Sequence, residues 1–136
     1  MDVVALIGRI LFVLLFLGSG AAHVMKADMM AGYAASKGVP QAKRATIGSG
    51  VLISVGGLMV LLGIYADLGA LLLVIFLVPT AILMHAFWKE TDPAAKQMEM
   101  VSFQKDIALA GAALLILALY SQLGDNLGLT ITGPLF

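Results

Sequence analysis

Leu68-Gly69-Ala70-Leu71-Leu72-Leu73-Val74-Ile75-Phe76-Leu77-Val78-Pro79-Thr80-Ala81-Ile82-Leu83-Met84-His85-Ala86-Phe87-Trp88 contains no Lys, Arg, Asp or Glu. The hydrocarbon core of a bilayer is about 30 Å thick, and a helix crosses it in about 20 residues. Backbone amides and carbonyls find no water there, so a run of this length and character is helical. Asp67 and Lys89 bound the run with charge at either end.

Three other stretches have the same character: 3–24, 46–66 and the shorter 103–123. The first is longer in its apolar part than the ~7–15 residues of a signal peptide, and Asp2 with Arg9 makes no ordinary basic leader. It is expected to be a retained span. Residues 1–136 are therefore expected to form one domain, an all-α integral membrane four-helix bundle. The overall composition agrees, with 61% hydrophobic residues and a mean hydropathy of +1.03.

The second and third runs are separated by little more than Tyr65-Ala66-Asp67-Leu68-Gly69, where Asp67 interrupts the apolar pattern and Gly69 loosens the backbone. A tight helical hairpin is expected there. The link 25–45 is amphipathic, with Met25, Met29, Met30 and Tyr33 at roughly helical spacing and Lys26, Asp28, Ser36 and Lys37 between them. This pattern predicts a short interfacial helix between spans one and two, ended by Gly38-Val39-Pro40. In the link 89–102, Asp92-Pro93 reads as a helix start.

Lys26, Lys37, Lys43 and Arg44 fall in or beside the first link, and Lys89, Lys96 and Lys105 in or beside the third. With four spans both links share a side. The positive-inside bias puts links 25–45 and 89–102 in the cytoplasm and both termini outside. Packing is expected through small residues, at Gly18-x-x-x-Ala22, Gly50-x-x-x-Ser54 and Ala108-x-x-x-Ala112, with Gly56-Gly57 and Gly111 adding room.

Eight basic and eight acidic residues cancel, so no basic field exists to hold nucleic acid. With no cysteine, the chain itself supplies neither disulfides nor thiolate metal sites. Nucleotide loops, nucleophile elbows and paired catalytic carboxylates are not visible, and two histidines make a weak case for a metal.

The few ionisable residues at span edges carry what remains. Arg9 lies about two turns into the first span. It either snorkels or pairs with Asp67 or Asp125, or else binds an anionic ligand or a quinone-like carbonyl. His85 and Trp88 are three residues apart, which places them on one face of a common helix. Trp88 reads as an interfacial anchor. Asp106, taken as lying in the first turn of the fourth helix, suits the dipole there. A Lys105–Asp106–His85 network is expected to close the inner end of the bundle, with His85 a candidate proton carrier. Arg9, His85, Trp88, Lys105 and Asp106 are the candidate ligand-binding residues. Pro79 frees the Ile75 carbonyl, which predicts a kink and a small cavity beside it.

In order and spacing, several short motifs together resemble the DoxX family of small four-helix membrane proteins. They are Gly8-Arg9-Ile10-Leu11 with Leu15-Phe16-Leu17-Gly18-Ser19-Gly20, then Gly32-Tyr33 through Gly38-Val39-Pro40, then Gly56-Gly57-Leu58 ahead of Leu62-Gly63. The most specific block is Met84-His85-Ala86-Phe87-Trp88 with Phe103-Gln104-Lys105-Asp106 and Gly111. Family members often carry a glutamate shortly before the paired glycines, where this chain has Ile53 and Ser54. The fourth helix usually opens Lys-Asn, and here it reads Lys105-Asp106.

The resemblance implies a bacterial inner-membrane protein, either a subunit of a thiosulfate:quinone oxidoreductase or a companion of other redox proteins. It points to an accessory subunit of a membrane redox or respiratory assembly, without a redox centre or catalytic activity of its own. Its partners would be the lipid bilayer and other membrane subunits, or further copies of itself. The rival reading is a quinone- or lipid-binding oxidoreductase component using Arg9 and His85. A small-solute transporter ranks third, because inverted repeats are not evident.

Overall fold

The computed structural model describes residues 1–136, apart from the side chain of Asp125. Its helices are α1 (Asp2–Met25), α2 (Ala27–Ser36), α3 (Ala42–Leu62), α4 (Ala66–Met84) and α5 (Pro93–Leu123), with 3₁₀ turns at Phe87–Lys89 and Gly124–Asn126. Four of them are long and apolar enough to cross a membrane. The exception is α2, the short helix expected between the first two spans. Among the described residues there are no strands, so the chain is an all-α membrane bundle.

α3 is the hub of the packing, lying against α1, α2 and α4, while α5 lies against α4. The core runs along these contacts through Val13 and Phe16 of α1, Ile53 and Val60 of α3, Leu73 and Leu77 of α4, and Ala110 and Ala113 of α5. Small residues set the helix spacing. A Cβ on Gly20 would come within 2.9 Å of the Gly50 carbonyl, and one on Gly69 within 2.7 Å of the Met59 Cβ. The Gly50–Ser54 pair thus serves the α1–α3 contact as expected, with Gly20 opposite it. Gly18 and Gly111 have open space beside them. Gly18 and Gly111 therefore do not set a helix spacing, and Ala110 and Ala113 fill the α5 interface.

Two boundaries move relative to the sequence reading. The α3–α4 turn is Gly63-Ile64-Tyr65, with Gly63 at φ 64° and Tyr65 at φ 43°, both left-handed. Asp67 is therefore not in the turn. It sits in the first turn of α4, fully buried, and its Oδ2 accepts hydrogen bonds from the amides of Leu135 and Phe136 at 2.7 and 2.8 Å.

α5 begins at Pro93, ten residues before the expected span. Asp92 caps it, accepting from the Ala95 amide at 2.8 Å. Its 31 residues make a rod of about 46 Å, longer than a bilayer core. The apolar stretch 103–123 is the C-terminal two thirds of this helix, and Lys96 and Glu99 lie in the turns before it. Asp106 lies well inside this helix, so the dipole argument for its position lapses.

The far end of the bundle is closed by the last ten residues. The Ile131 and Thr132 amides donate to the Gly63 carbonyl at 3.1 and 3.0 Å, and the Tyr65 amide donates to the Thr132 hydroxyl at 2.8 Å. Arg9 belongs to this end. It is 4% exposed, and its Nη2 donates to the Leu129 carbonyl at 2.6 Å. Among the described residues it forms no ion pair, with Asp67 or otherwise, and the Asp125 side chain lies outside them. Arg9 lies at the opposite end of the bundle from His85 and holds the tail through Nη2, while its buried Nε and Nη1 have no hydrogen-bond partner among the described residues.

Candidate functional site

At the α2 end, residues of α1, α2, α3, α4 and α5 line a cavity of about 750 Å³. Its walls are mostly apolar, from Leu15 and Phe16 of α1, Met29 and Met30 of α2, Leu52 of α3 and Ile75 of α4. Pro79 and Thr80 line it, as the proline predicted. The polar side chains in the lining are His23, Tyr33, His85, Lys105 and Asp106, with the hydroxyls of Ser19, Thr46, Ser49 and Thr80. The volume suits a drug-sized or lipid-like molecule, and an apolar chamber with a few grouped polar atoms is the usual form of a small-molecule site.

α4 ends at Met84, and His85 follows it at φ −114°. Trp88 belongs to the succeeding 3₁₀ turn, so His85 and Trp88 do not share a helical face. Trp88 stacks edge-on with Phe87 and Phe103 at centroid distances of 5.2 and 5.7 Å and is half exposed, away from the cavity.

The expected Lys105–Asp106–His85 network is present and is larger than expected. Asp106, only 6% exposed at its side chain, lies 3.4 Å from Lys105 Nζ and 3.6 Å from His85 Nε2. The opposite ring nitrogen, Nδ1, donates to Glu99 Oε2 at 2.7 Å. The other oxygen of Glu99 accepts from the Tyr33 hydroxyl at 2.8 Å and from Lys37 Nζ at 3.0 Å. Lys37 also donates to Glu90 at 2.9 Å. Tyr33 is on α2 and Lys37 directly follows it. The network therefore ties the cover of the cavity to α5 and to the end of α4.

These contacts act on the groups outside the membrane span. Burial pushes the Glu99 carboxyl up, but hydrogen bonds from His85, Lys37 and Tyr33 outweigh it and hold the group at about 2. Hydrogen bonds to Glu90 and Glu99 raise Lys37 above its ordinary value. Burial, then the hydrogen bond to Glu99, raises Tyr33. Glu99 is thus a fixed anion on which α2 is latched.

Of the five residues singled out in the sequence, His85, Lys105 and Asp106 come together at the cavity. Arg9 and Trp88 do not. The residues missed are His23, Tyr33, Lys37, Glu90 and Glu99. One signal could have found Glu99: it is seven residues before Asp106, hence on the same face of a helix that starts at Asp92-Pro93.

A DoxX family model matches residues 4–86, most of α1 through the end of α4. The chain is 32% identical to the inner membrane protein YphA of Escherichia coli (strain K12) over 114 residues, covering 84% of this chain and 81% of that one. No solved structure matches. The chain is a multi-pass inner-membrane protein and belongs to the DoxX family.

Proposed function

We propose that this DoxX-family protein is an accessory component of a membrane redox assembly, holding a lipophilic small molecule in the cavity at its α2 end. The observation that carries the reading is the cavity itself, about 750 Å³ with apolar walls, edged by His23, His85, Lys105 and Asp106. A quinone- or lipid-like amphiphile has matching chemistry, an apolar body and a hydrogen-bonding head. The role in a redox assembly rests on the family.

Ligand binding is favoured over a purely structural role for His85 and Asp106. A network serving only to close the bundle would gain from filling this space, since interiors pack closely. Arg9, committed to the tail, is assigned no ligand in this reading. With the two links in the cytoplasm, the cavity opens near the inner leaflet.

The test is purification from native membranes in mild detergent, followed by solvent extraction and mass spectrometry. The proposal expects a stoichiometric amphiphile in the extract and a redox partner in the eluate. A homogeneous bundle with an empty extract and no redox partner would contradict both parts.

A further inference from the structure

His23 narrows what the cavity accepts. It lies on α1 near its C-terminal end and lines the cavity. Its Nδ1 is 2.7 Å from the Ser19 carbonyl oxygen one turn earlier, with the Ser19 hydroxyl at 3.4 Å. A carbonyl oxygen can only accept, so Nδ1 carries the hydrogen. In the neutral ring the other nitrogen, Nε2, is then a bare acceptor. It makes no hydrogen bond with the described residues and is not among the fully buried polar atoms, and the residue that carries it lines the cavity. Phe76 stands edge-on to the ring, with centroids 6.1 Å apart. Among the described residues no carboxylate lies within ion-pair distance of it.

The remaining polar atoms discriminate less. The hydroxyls of Thr46 and Thr80 rotate and can donate or accept. Both oxygens of Asp106 already face cations or the His85 ring. Lys105 is half exposed at the rim. Asp106 and His23 Nε2 are therefore both acceptors without a hydrogen bond, and of the two only His23 Nε2 has no ion-pair partner beside it. A site built around an unpaired acceptor rejects a ligand that brings it no donor.

We propose that His23 Nε2 is the specificity-determining group of this cavity, and that the ligand is an amphiphile whose head is a hydroxyl, phenolic or alcoholic. The inference rests on the cavity being a ligand site. A carbonyl-headed molecule of the same size, an oxidised quinone included, or an ether-headed one leaves Nε2 unpaired, so the inference narrows the proposed amphiphiles to those that bear a hydroxyl.

The test uses the full chain in lipid nanodiscs and two matched pairs of probes: para-nonylphenol with para-nonylanisole, and dodecanol with dodecyl methyl ether. In at least one pair the hydroxyl compound is expected to bind about tenfold more tightly, the worth of one buried hydrogen bond. The pair showing the preference tells a phenolic head from an aliphatic alcohol. In His23→Leu the preference disappears while the ethers still bind. Ring-nitrogen NMR of histidine-labelled wild-type protein gives an independent readout, with the His23 Nε2 resonance moving on binding of the hydroxyl compound and not of its ether. Equal binding within both pairs, an immobile Nε2 resonance, or a preference that survives in His23→Leu would overturn the inference and leave the cavity reading standing. No saturable binding of any probe would overturn both.

Discussion

His85 Nδ1 and Glu99 Oε2 are 2.7 Å apart, which joins the end of α4 to the N-terminal turns of α5. The same carboxylate receives Tyr33 and Lys37 from the α2 segment. One side chain, 14% exposed, thereby anchors the cover of the cavity.

Glu99→Gln keeps an acceptor but removes the charge that three donors share. It is expected to lower stability by about 1–3 kcal/mol, as expected for loss of charge-assisted hydrogen bonds. The measurement is thermal unfolding in detergent followed by helical circular dichroism. Proteolysis in the α2 segment should also quicken. Unchanged melting and unchanged protease resistance would show that the latch does not hold α2.

Acid should release the same latch, in a particular range. The Glu99 carboxyl is lowered from the usual 4.5 to about 2 on folding. A depressed carboxyl stabilises fully above its unfolded value and loses that contribution as pH falls through the folded value. Mobility of a spin label on α2 should therefore stay flat from pH 7 down to about 4.5 and rise between there and about 2. For Lys37, raised on folding, the sign reverses: its contribution is complete below 10.5 and is lost only above that. A release midpoint above about pH 5 would show that Glu99 is not the group in control.

Two glycines give opposite expectations. Gly69→Ala forces a Cβ to within 2.7 Å of Met59 and 2.9 Å of the Gly56 carbonyl, so α3 and α4 must separate. A loss of about 1–3 kcal/mol is expected from that overpacking. Gly111→Ala meets nothing within 4 Å. It should be neutral or stabilising by about 0.5–1 kcal/mol through helix propensity. Melting temperatures of the two variants decide it, and equal shifts would contradict the packing described.

Arg9→Ala separates the two ends of the bundle. The Leu129 carbonyl loses its partner, at an expected cost of about 1–3 kcal/mol. The amides of Ile131 and Thr132 should exchange faster with solvent. Amphiphile binding at the α2 end should not change. A binding defect in Arg9→Ala would return Arg9 to the ligand site.

The spans were legible because the bilayer imposes a composition over about 20 residues that no local accident imitates. Asp92-Pro93 was legible for a similar reason, since a capping side chain and a fixed φ act locally. The hairpin turn was misplaced because Asp67 looks like a loop residue. It is buried by two amides 68 and 69 residues away, which no local pattern encodes. Glu99 and Lys37 escaped for the same reason, being 62 residues apart and joined only by the packing of α2 over the bundle. Arg9 drew weight as an intramembrane charge, yet its partner is a backbone carbonyl 120 residues on.

The most direct test of the cavity as a ligand site is photo-crosslinking of the nanodisc-embedded protein with a diazirine-bearing alkylphenol, mapped by peptide mass spectrometry. Label is predicted on cavity-lining positions such as Leu15, Leu52 and Thr80, saturating with probe concentration and lost in Ser49→Trp, where the new side chain fills the space. Non-saturable label spread over the lipid-facing surfaces of α1 and α5, unaffected by Ser49→Trp, would contradict the account.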